Sequence, residues 1–434
     1  MRLAVIGAMG AGLSAASRAK RVDPSVEVIV LERGEAVSIG ACGFPYYLDG
    51  TVAQPSELAV YSAESLRRQR GILVRTGITV RQIRHPRREL VLSGGETLAY
   101  DRLVIATGAR PDCSVFGQKP PLNAFTLHSL ADAVRLREFI ERERPSRAVV
   151  IGAGYIGLEV ADVLARRGLE VTVFEKSHYV LGREDAELTR AVAAELGALG
   201  VRLKLGNPVK QISSDQVEDT RCDFIVAAAG VLPNVELAVE AGVLTGTTGA
   251  IAVDEHMETN LAGVYAAGDC AEAWHVVTGR PCYIPLGTTA NRMGRIAGAC
   301  AAGLRESFKG VVGTSIVRIG RLGFAMTGLS TADARRAGFD PVSVVISAPD
   351  RPKYFQGRET TVMLAADRLS RRLLGGWVCG SSEVAGRIDT LAAALTGRMC
   401  VEELEQLDLA YTPPFAPAAD PLLVAARRLA KLLN

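Results

Sequence analysis

Cys42 stands in the run Ser38-Ile39-Gly40-Ala41-Cys42-Gly43-Phe44-Pro45-Tyr46-Tyr47, downstream of one glycine-rich turn and well upstream of another. A thiol between two dinucleotide sites suits a redox relay, with electrons passing from a nicotinamide through a flavin to sulfur. Pro45 fits the first turn of a helix, so Cys42 is expected at or just before a helix start. The helix N-terminus there would lower the thiol pKa and make the thiolate a nucleophile toward disulfides. The alternative for any single cysteine is an inert, buried side chain.

The turn Gly152-Ala153-Gly154-Tyr155-Ile156-Gly157 is a complete dinucleotide fingerprint. Gly152 permits the tight turn, Gly154 lets a pyrophosphate approach the backbone, and Gly157 allows close helix–strand packing. The helix that follows offers its first amides and a favourable dipole. Glu175, 18 residues beyond Gly157, closes the next strand, where a carboxylate binds ribose hydroxyls and repels a 2′-phosphate. That favours NADH, while Lys176 beside it leaves NADPH open. The earlier turn, Gly7-Ala8-Met9-Gly10-Ala11-Gly12, has Met9 at the middle glycine position, but Glu32 follows Gly12 by 20 residues, the offset of a ribose ligand. Gly268-Asp269 ends a later strand and offers a carboxylate to a flavin ribityl or pyrophosphate-side hydroxyl. Each of these could also be an ordinary turn.

These turns require strands and helices to carry them. Arg2–Ile6, a helix over Leu13–Arg21 and Val26–Leu31 form one unit; Ala148–Ile151, Leu158–Arg167 and Glu170–Phe174 repeat it. Two such units mean two nucleotide-binding domains of α/β class. Beyond about residue 322, strand-like runs precede a helical tail, which reads as an α+β domain. The expected division is residues 1–112 with 250–322 for the first domain, 113–249 for the second and 323–434 for the third.

The chain has 434 residues, 48% hydrophobic and 22% charged, with a formal net charge of +3. Neither charge nor a 5% aromatic content argues for nucleic acid or a membrane surface. Eight cysteines are scattered without a CxxC pair, which argues against zinc or a disulfide scaffold and fits a reducing cytoplasm. No metal site is expected. Arg2 with the apolar run after it mimics a signal peptide, but the glycine spacing explains that segment better. No apolar run reaches the roughly 18 residues of a membrane span.

Together the motifs resemble the flavin- and pyridine-nucleotide-dependent disulfide oxidoreductases. The nearest branch is the single-cysteine one: coenzyme A-disulfide reductases, persulfide-reducing relatives, and NADH oxidases and peroxidases. The resemblance rests on Gly7–Gly12, Ser38–Tyr47, Ala106-Thr107-Gly108, Gly152–Glu159, Gly268-Asp269, Leu286–Asn291 and Leu407–Phe415. Dithiol members carry Cys-x4-Cys; Tyr47 fills the second position here. Their C-terminal His-Glu dyad has no counterpart, since the histidines are at 85, 128, 178, 256 and 275. Oxidases and peroxidases carry a His in the first turn, where Gly10 stands. Coenzyme A-disulfide reductases lack that His and carry a Tyr before Pro-Pro, matched by Tyr411. Their second Tyr lies in a Tyr-Tyr-Pro-Gly-like segment, here Tyr354-Phe355-Gln356-Gly357.

The resemblance implies FAD held by Gly7, Ala8, Gly10, Ala11, Gly12, Glu32 and Arg33, with Val80, then by Ala106, Thr107 and Gly108, and by Gly268, Asp269, Leu286, Thr288 and Ala290. It implies NAD(P)H on Gly152, Gly154, Tyr155, Ile156, Gly157, Glu159, Glu175, Lys176 and Gly230, with Tyr155 gating the nicotinamide. It implies a homodimer whose C-terminal domain brings Tyr411 to the partner's Cys42. Catalysis would fall to Cys42, Tyr411 and Tyr354: Cys42 forms a mixed disulfide with coenzyme A, and Tyr411 protonates the departing thiolate. Tyr411 has packing against Pro413 and Pro414 as its alternative. Coenzyme A carries phosphates, so Arg18 and Arg21, on one helix face, with Ser14, Ser17 and Ser38, and further Arg67 and Arg68, are expected along its path. A solvated helix face is the other reading of those arginines. Glu159 has no lysine available between Lys20 and Lys119. The rival readings are an oxidase reducing O2 through a Cys42 sulfenic acid, an electron-transfer flavoprotein reductase, and a flavin-binding scaffold without turnover.

Overall fold

The apolar runs of both fingerprint units are buried on both faces, which favours parallel pairing. In the computed structural model, which describes residues 1–117, 119–381 and 383–434, they form two parallel five-stranded sheets. The first runs Val264–Ala266, Arg102–Ile105, Arg2–Ile6, Glu27–Leu31, Ile72–Arg75. The second runs Arg202–Lys204, Glu170–Phe174, Arg147–Ile151, Phe224–Ala227, Ala124–Phe125. The central strand of each, ahead of its glycine turn, has fully buried members such as Leu3, Ala4, Val149 and Val150.

The helices start inside the turns, at Gly10–Val22 and Tyr155–Arg166, three residues earlier than the apolar periodicity indicates. First-turn amides have no partner within a helix, so residues of low helix propensity are tolerated there. The helix Gly287–Ala301 lies on Gly10–Val22 at backbone contact. A Cβ on Gly294 would stand 2.2 Å from the Ala11 carbonyl oxygen, and one on Gly298 2.1 Å from that of Ala15. This approach carries the start of the later helix to the first glycine turn.

The two sheets are linked by a short antiparallel ribbon, Ala109–Pro111 with Val231–Pro233. Asn234 seals it: its amide donates to the Gly108 carbonyl at 2.9 Å, its Nδ2 donates to the Thr107 carbonyl at 2.9 Å, and Thr107 Oγ1 donates to the Asn234 carbonyl at 2.7 Å. Ala238 and Val243 then pack in the first core. The chain therefore returns to the first body at Asn234, before residue 250. The third body is an antiparallel sheet, Ser315–Ile319, Leu322–Gly328, Leu373–Gly380, Glu359–Asp367, Pro341–Pro349, covered by Val384–Thr396 and Pro421–Leu433. Ser315–Ile319 belongs to it, so this body begins ahead of 323. The reason is topological: a strand joins the sheet with which it hydrogen-bonds, which no change of composition marks. No described helix is long and apolar enough to cross a membrane.

Candidate functional site

The two glycine turns are near copies. Gly7 has φ 105° and Gly152 φ 107°, values open to glycine. A Cβ on Gly12 would lie 1.9 Å from the Gly7 carbonyl oxygen, and one on Gly157 1.9 Å from that of Gly152. Glu32 accepts the Ala8 and Gly34 amides, both at 2.8 Å, one on each carboxylate oxygen. Glu175 accepts those of Ala153 and Ser177 in the same way, both at 2.8 Å. Each acid is thereby fixed at the end of its strand beside the turn.

Neither helix has a side-chain N-cap or an acid in its first turn, so the positive end of each dipole is uncompensated. A Cβ on Gly154 would meet nothing within 4 Å, an open space over free amides that fits a pyrophosphate. Met9 takes the corresponding place in the first turn and is exposed. Ile156 is exposed, and Lys176 is exposed beside Glu175.

Gly268 (φ 82°) lies between these elements: a Cβ there would be 2.7 Å from Ala11 Cβ and 3.5 Å from Ala290 Cβ. Asp269 thus comes to the first turn beside the uncapped start of Gly287–Ala301, where Leu286 is the N-cap residue and Thr288 is exposed. Burial raises the Asp269 carboxyl above its usual range, and His128, which sequence reasoning passed over, opposes the rise. Gly10 opens the first helix, Ala106 adjoins Gly7, Val80 is buried in its strand, and Arg33 is exposed. Thr107 and Gly108 lead into the ribbon and are bonded to Asn234, with Gly230 exposed just ahead of its other limb.

Cys42 lies in the 3-10 turn Ala41–Gly43, ahead of the five-residue helix Phe44–Leu48 with Pro45 in its first turn. The thiol is exposed. Its pKa is raised, contrary to the expected lowering: partial desolvation is the main cause, followed by the Glu159 carboxylate, with Asp269 adding to both and only the local backbone amide opposing. A helix this short has little dipole to offer, and two carboxylates outweigh it. Glu159 is itself pushed to about 7 by burial and by Asp162, against the pull of Arg318. Arg318, reached from the third body, lies 5.8 Å from the Tyr46 ring centroid.

Tyr47, where a second cysteine stands in dithiol enzymes, is buried under Arg137 (4.5 Å to the ring centroid), which also donates to the Tyr47 carbonyl at 3.1 Å. Arg167 bonds the Leu48 carbonyl, and Tyr155 shares a hydrogen bond of 2.6 Å with Ser315 of the third body. Arg137, Arg167 and Ser315 carry no local sequence signal; only the fold brings them to the site.

Tyr354, in the turn Lys353–Phe355, is 71% exposed, and Tyr411 is 53% exposed. Both belong to the third body, and among the described residues neither hydroxyl is hydrogen-bonded to Cys42 of the same chain. Of the expected substrate-path residues, Ser14 accepts Asn291 Nδ2 at 2.8 Å, Ser17 accepts Arg70 Nη1 at 2.8 Å, and Arg18 is paired with Glu306. Arg21, Arg67 and Arg68 are exposed, with no ion pair found for them among the described residues. Ser38 sits at φ 56° beside the first turn, its amide on the Ala8 carbonyl. Among the described residues no group of three or more His, Cys, Asp or Glu could hold a metal ion.

Residues 1–302 match the pyridine nucleotide-disulphide oxidoreductase family, and residues 314–421 its dimerisation domain. The chain belongs to the pyridine nucleotide-disulphide oxidoreductase family. As a member it is an FAD-dependent NAD(P)H oxidoreductase. The NAD(P)H coenzyme A polysulfide/persulfide reductase of Pyrococcus horikoshii is 37% identical to it over 99% of this chain and 98% of that one. The coenzyme A disulfide reductase of Staphylococcus aureus is 27% identical over 96% and 97%. The solved NAD-dependent persulfide reductase of A. fulgidus superposes with a TM-score of 0.95 at 36% identity, covering 100% of this chain and 83% of that one.

Proposed function

We propose that this protein uses NAD(P)H to reduce a coenzyme A disulfide or persulfide, with Cys42 as its sole redox thiol, working as a homodimer. One observation carries the reading: the exposed Cys42 is followed by a helix that holds buried Tyr47, not a second thiol. A lone thiol needs its resolving sulfur from the substrate. Glu32 with the first turn suits FAD, and Glu175 with the second suits NAD(P)H. FAD held there would supply the chemistry between the two: it would accept hydride from NAD(P)H and pass an electron pair to sulfur.

The protein's own groups do the rest. The Cys42 thiolate attacks one disulfide sulfur, forming a mixed disulfide and releasing one coenzyme A thiolate. Two-electron reduction of that mixed disulfide would return the Cys42 thiolate and release the second coenzyme A. Overall, one NAD(P)H and one proton convert the disulfide to two thiols; a persulfide yields one thiol and hydrogen sulfide. Tyr411 supplies the proton for a leaving thiolate, with Tyr354 on the neighbouring loop. Glu159, half-protonated near neutral pH, holds a further proton beside Cys42. Arg70 ties the helix Ala63–Arg70 to Ser17 on the first helix. Arg21, Arg67 and Arg68 thereby lie on neighbouring helices as cations for the coenzyme A phosphates, whereas Arg18 is already neutralised by Glu306.

Steady-state oxidation of NADH and NADPH with coenzyme A disulfide, coenzyme A persulfide or O2 as acceptor tests this reading. Cys42→Ser should abolish turnover with the sulfur acceptors and leave flavin reduction by NAD(P)H intact. Full disulfide reductase activity in Cys42→Ser would refute it.

A further inference from the structure

The exposed Tyr354 and Tyr411 have no hydrogen bond to their hydroxyls among the described residues, so their loops decide where those hydroxyls stand. Both loops end on one buried side chain. Arg387, on the helix Val384–Thr396, is 6% exposed. Its Nε donates to the Asp420 carboxylate at 3.0 and 3.3 Å, and its Nη2 donates to the Asp350 carbonyl at 3.2 Å. Asp420 ends the segment that carries Tyr411 and caps the helix Pro421–Leu433 through the Leu422 amide at 2.8 Å.

Asp350 opens the loop that carries Tyr354. Its amide donates to the Arg358 carbonyl at 2.8 Å, its Oδ1 accepts the Arg358 amide at 2.7 Å, and its Oδ2 accepts Ser381 Oγ at 2.6 Å. The loop is drawn tight: a Cβ on Gly357 would lie 1.9 Å from the Arg351 carbonyl oxygen. Arg351 then makes a second link between the loops, pairing with Glu383 at 2.5 Å and donating to the Pro414 carbonyl at 3.4 Å.

We propose that Arg387 is a positioning residue that sets the Tyr354 and Tyr411 loops in one shared arrangement; this rests on the proposed catalytic role of those tyrosines. A buried guanidinium is a poor way to secure a helix, since apolar packing does as well without the desolvation cost. Its planar fork does what packing does not: it bonds two separate segments at fixed angles. A lysine ammonium at the same place keeps the charge and loses the fork.

The test uses the holoenzyme with coenzyme A disulfide as the probe, comparing Arg387→Lys, the pair Tyr354→Phe with Tyr411→Phe, and the triple variant. Two rates are read: disulfide turnover, and flavin reduction by NADH without disulfide. Arg387→Lys should slow turnover by at least about tenfold, the scale of a misplaced proton donor, with flavin reduction unchanged. The triple variant should be no slower than the tyrosine pair alone, because displaced loops cost nothing once both hydroxyls are gone. Wild-type turnover in Arg387→Lys overturns the proposal, as does a triple variant whose losses multiply. Should Arg387→Lys fail to fold, Arg351→Gln, which cuts only the second, half-buried link, takes its place with the same expected pattern and the same overturning results. Wild-type turnover in both Tyr411→Phe and Tyr354→Phe would instead refute the tyrosine roles in the proposed function, an outcome distinct from failure of the coupling.

Discussion

The Glu159 carboxylate is the charge that most opposes ionisation of Cys42. It comes from the helix that begins in the second glycine turn, so the nucleotide-binding element also adjusts the redox sulfur. Glu159→Gln removes that charge, and the Cys42 pKa should fall. The measurement is the pH dependence of Cys42 alkylation. In the wild type the two groups titrate together, because Glu159 ionises near 7 and then resists the thiolate. In Glu159→Gln the curve should shift to lower pH and narrow to a single step; an unshifted curve would show that the two groups are not coupled.

Glu159 also predicts a stability trend. Its folded pKa, about 7, lies above the 4.5 of an unfolded glutamate. The folded state therefore holds the proton more tightly. The contribution is complete below pH 4.5 and is lost as pH rises through 7, with an upper bound of about 3 kcal/mol. Wild-type Tm should decline across that window relative to Glu159→Gln. Parallel Tm profiles for the two proteins would contradict it.

How much of this was legible in the chain depends on the range over which each feature is decided. The turns with Glu32 and Glu175 were readable because strand, turn, helix and returning strand lie within one short stretch, and the amide–carboxylate bonds repeat at one offset. The turn at Cys42 and Pro45 was local as well. The thiol's direction of titration was not, since Glu159 and Asp269 reach it from elements far along the chain. The Asn234 seal, the Arg137 cover on Tyr47 and the Arg387 fork are likewise contacts between distant segments. Arginine and asparagine are common surface residues, and nothing beside them in sequence marks these as buried or shared.

Glu175 should govern coenzyme choice. Its two oxygens are held by the Ala153 and Ser177 amides, so a 2′-phosphate would meet a carboxylate unable to swing away. Glu175→Ala should lower kcat/KM for NADH by roughly ten- to a hundredfold, the scale of about 1.5–3 kcal/mol for a hydrogen bond to a charged group. The penalty for NADPH should be smaller, because a repulsion leaves with the acid and Lys176 stays beside the site. An NADH-to-NADPH ratio of kcat/KM unchanged from wild type would remove Glu175 from specificity.

Two glycine substitutions separate backbone contact from open space. At Gly298 a Cβ would sit 2.1 Å from the Ala15 carbonyl oxygen and 2.6 Å from Ala15 Cα, so Gly298→Ala must push Gly287–Ala301 off the first helix. The expected loss is about 1–3 kcal/mol, in the range of an overpacked core. Because the displaced helix starts at Leu286 and Thr288, purified Gly298→Ala should also retain less FAD than the wild type, read from flavin absorbance against protein. Gly386, in the helix Val384–Thr396, is exposed, and a Cβ there would meet nothing within 4 Å. Gly386→Ala should therefore raise stability by about 0.5–1 kcal/mol through the lower entropy of the unfolded chain, with FAD content unchanged. Equal Tm values for the two variants would mean that the helix contact at Ala15 yields without cost.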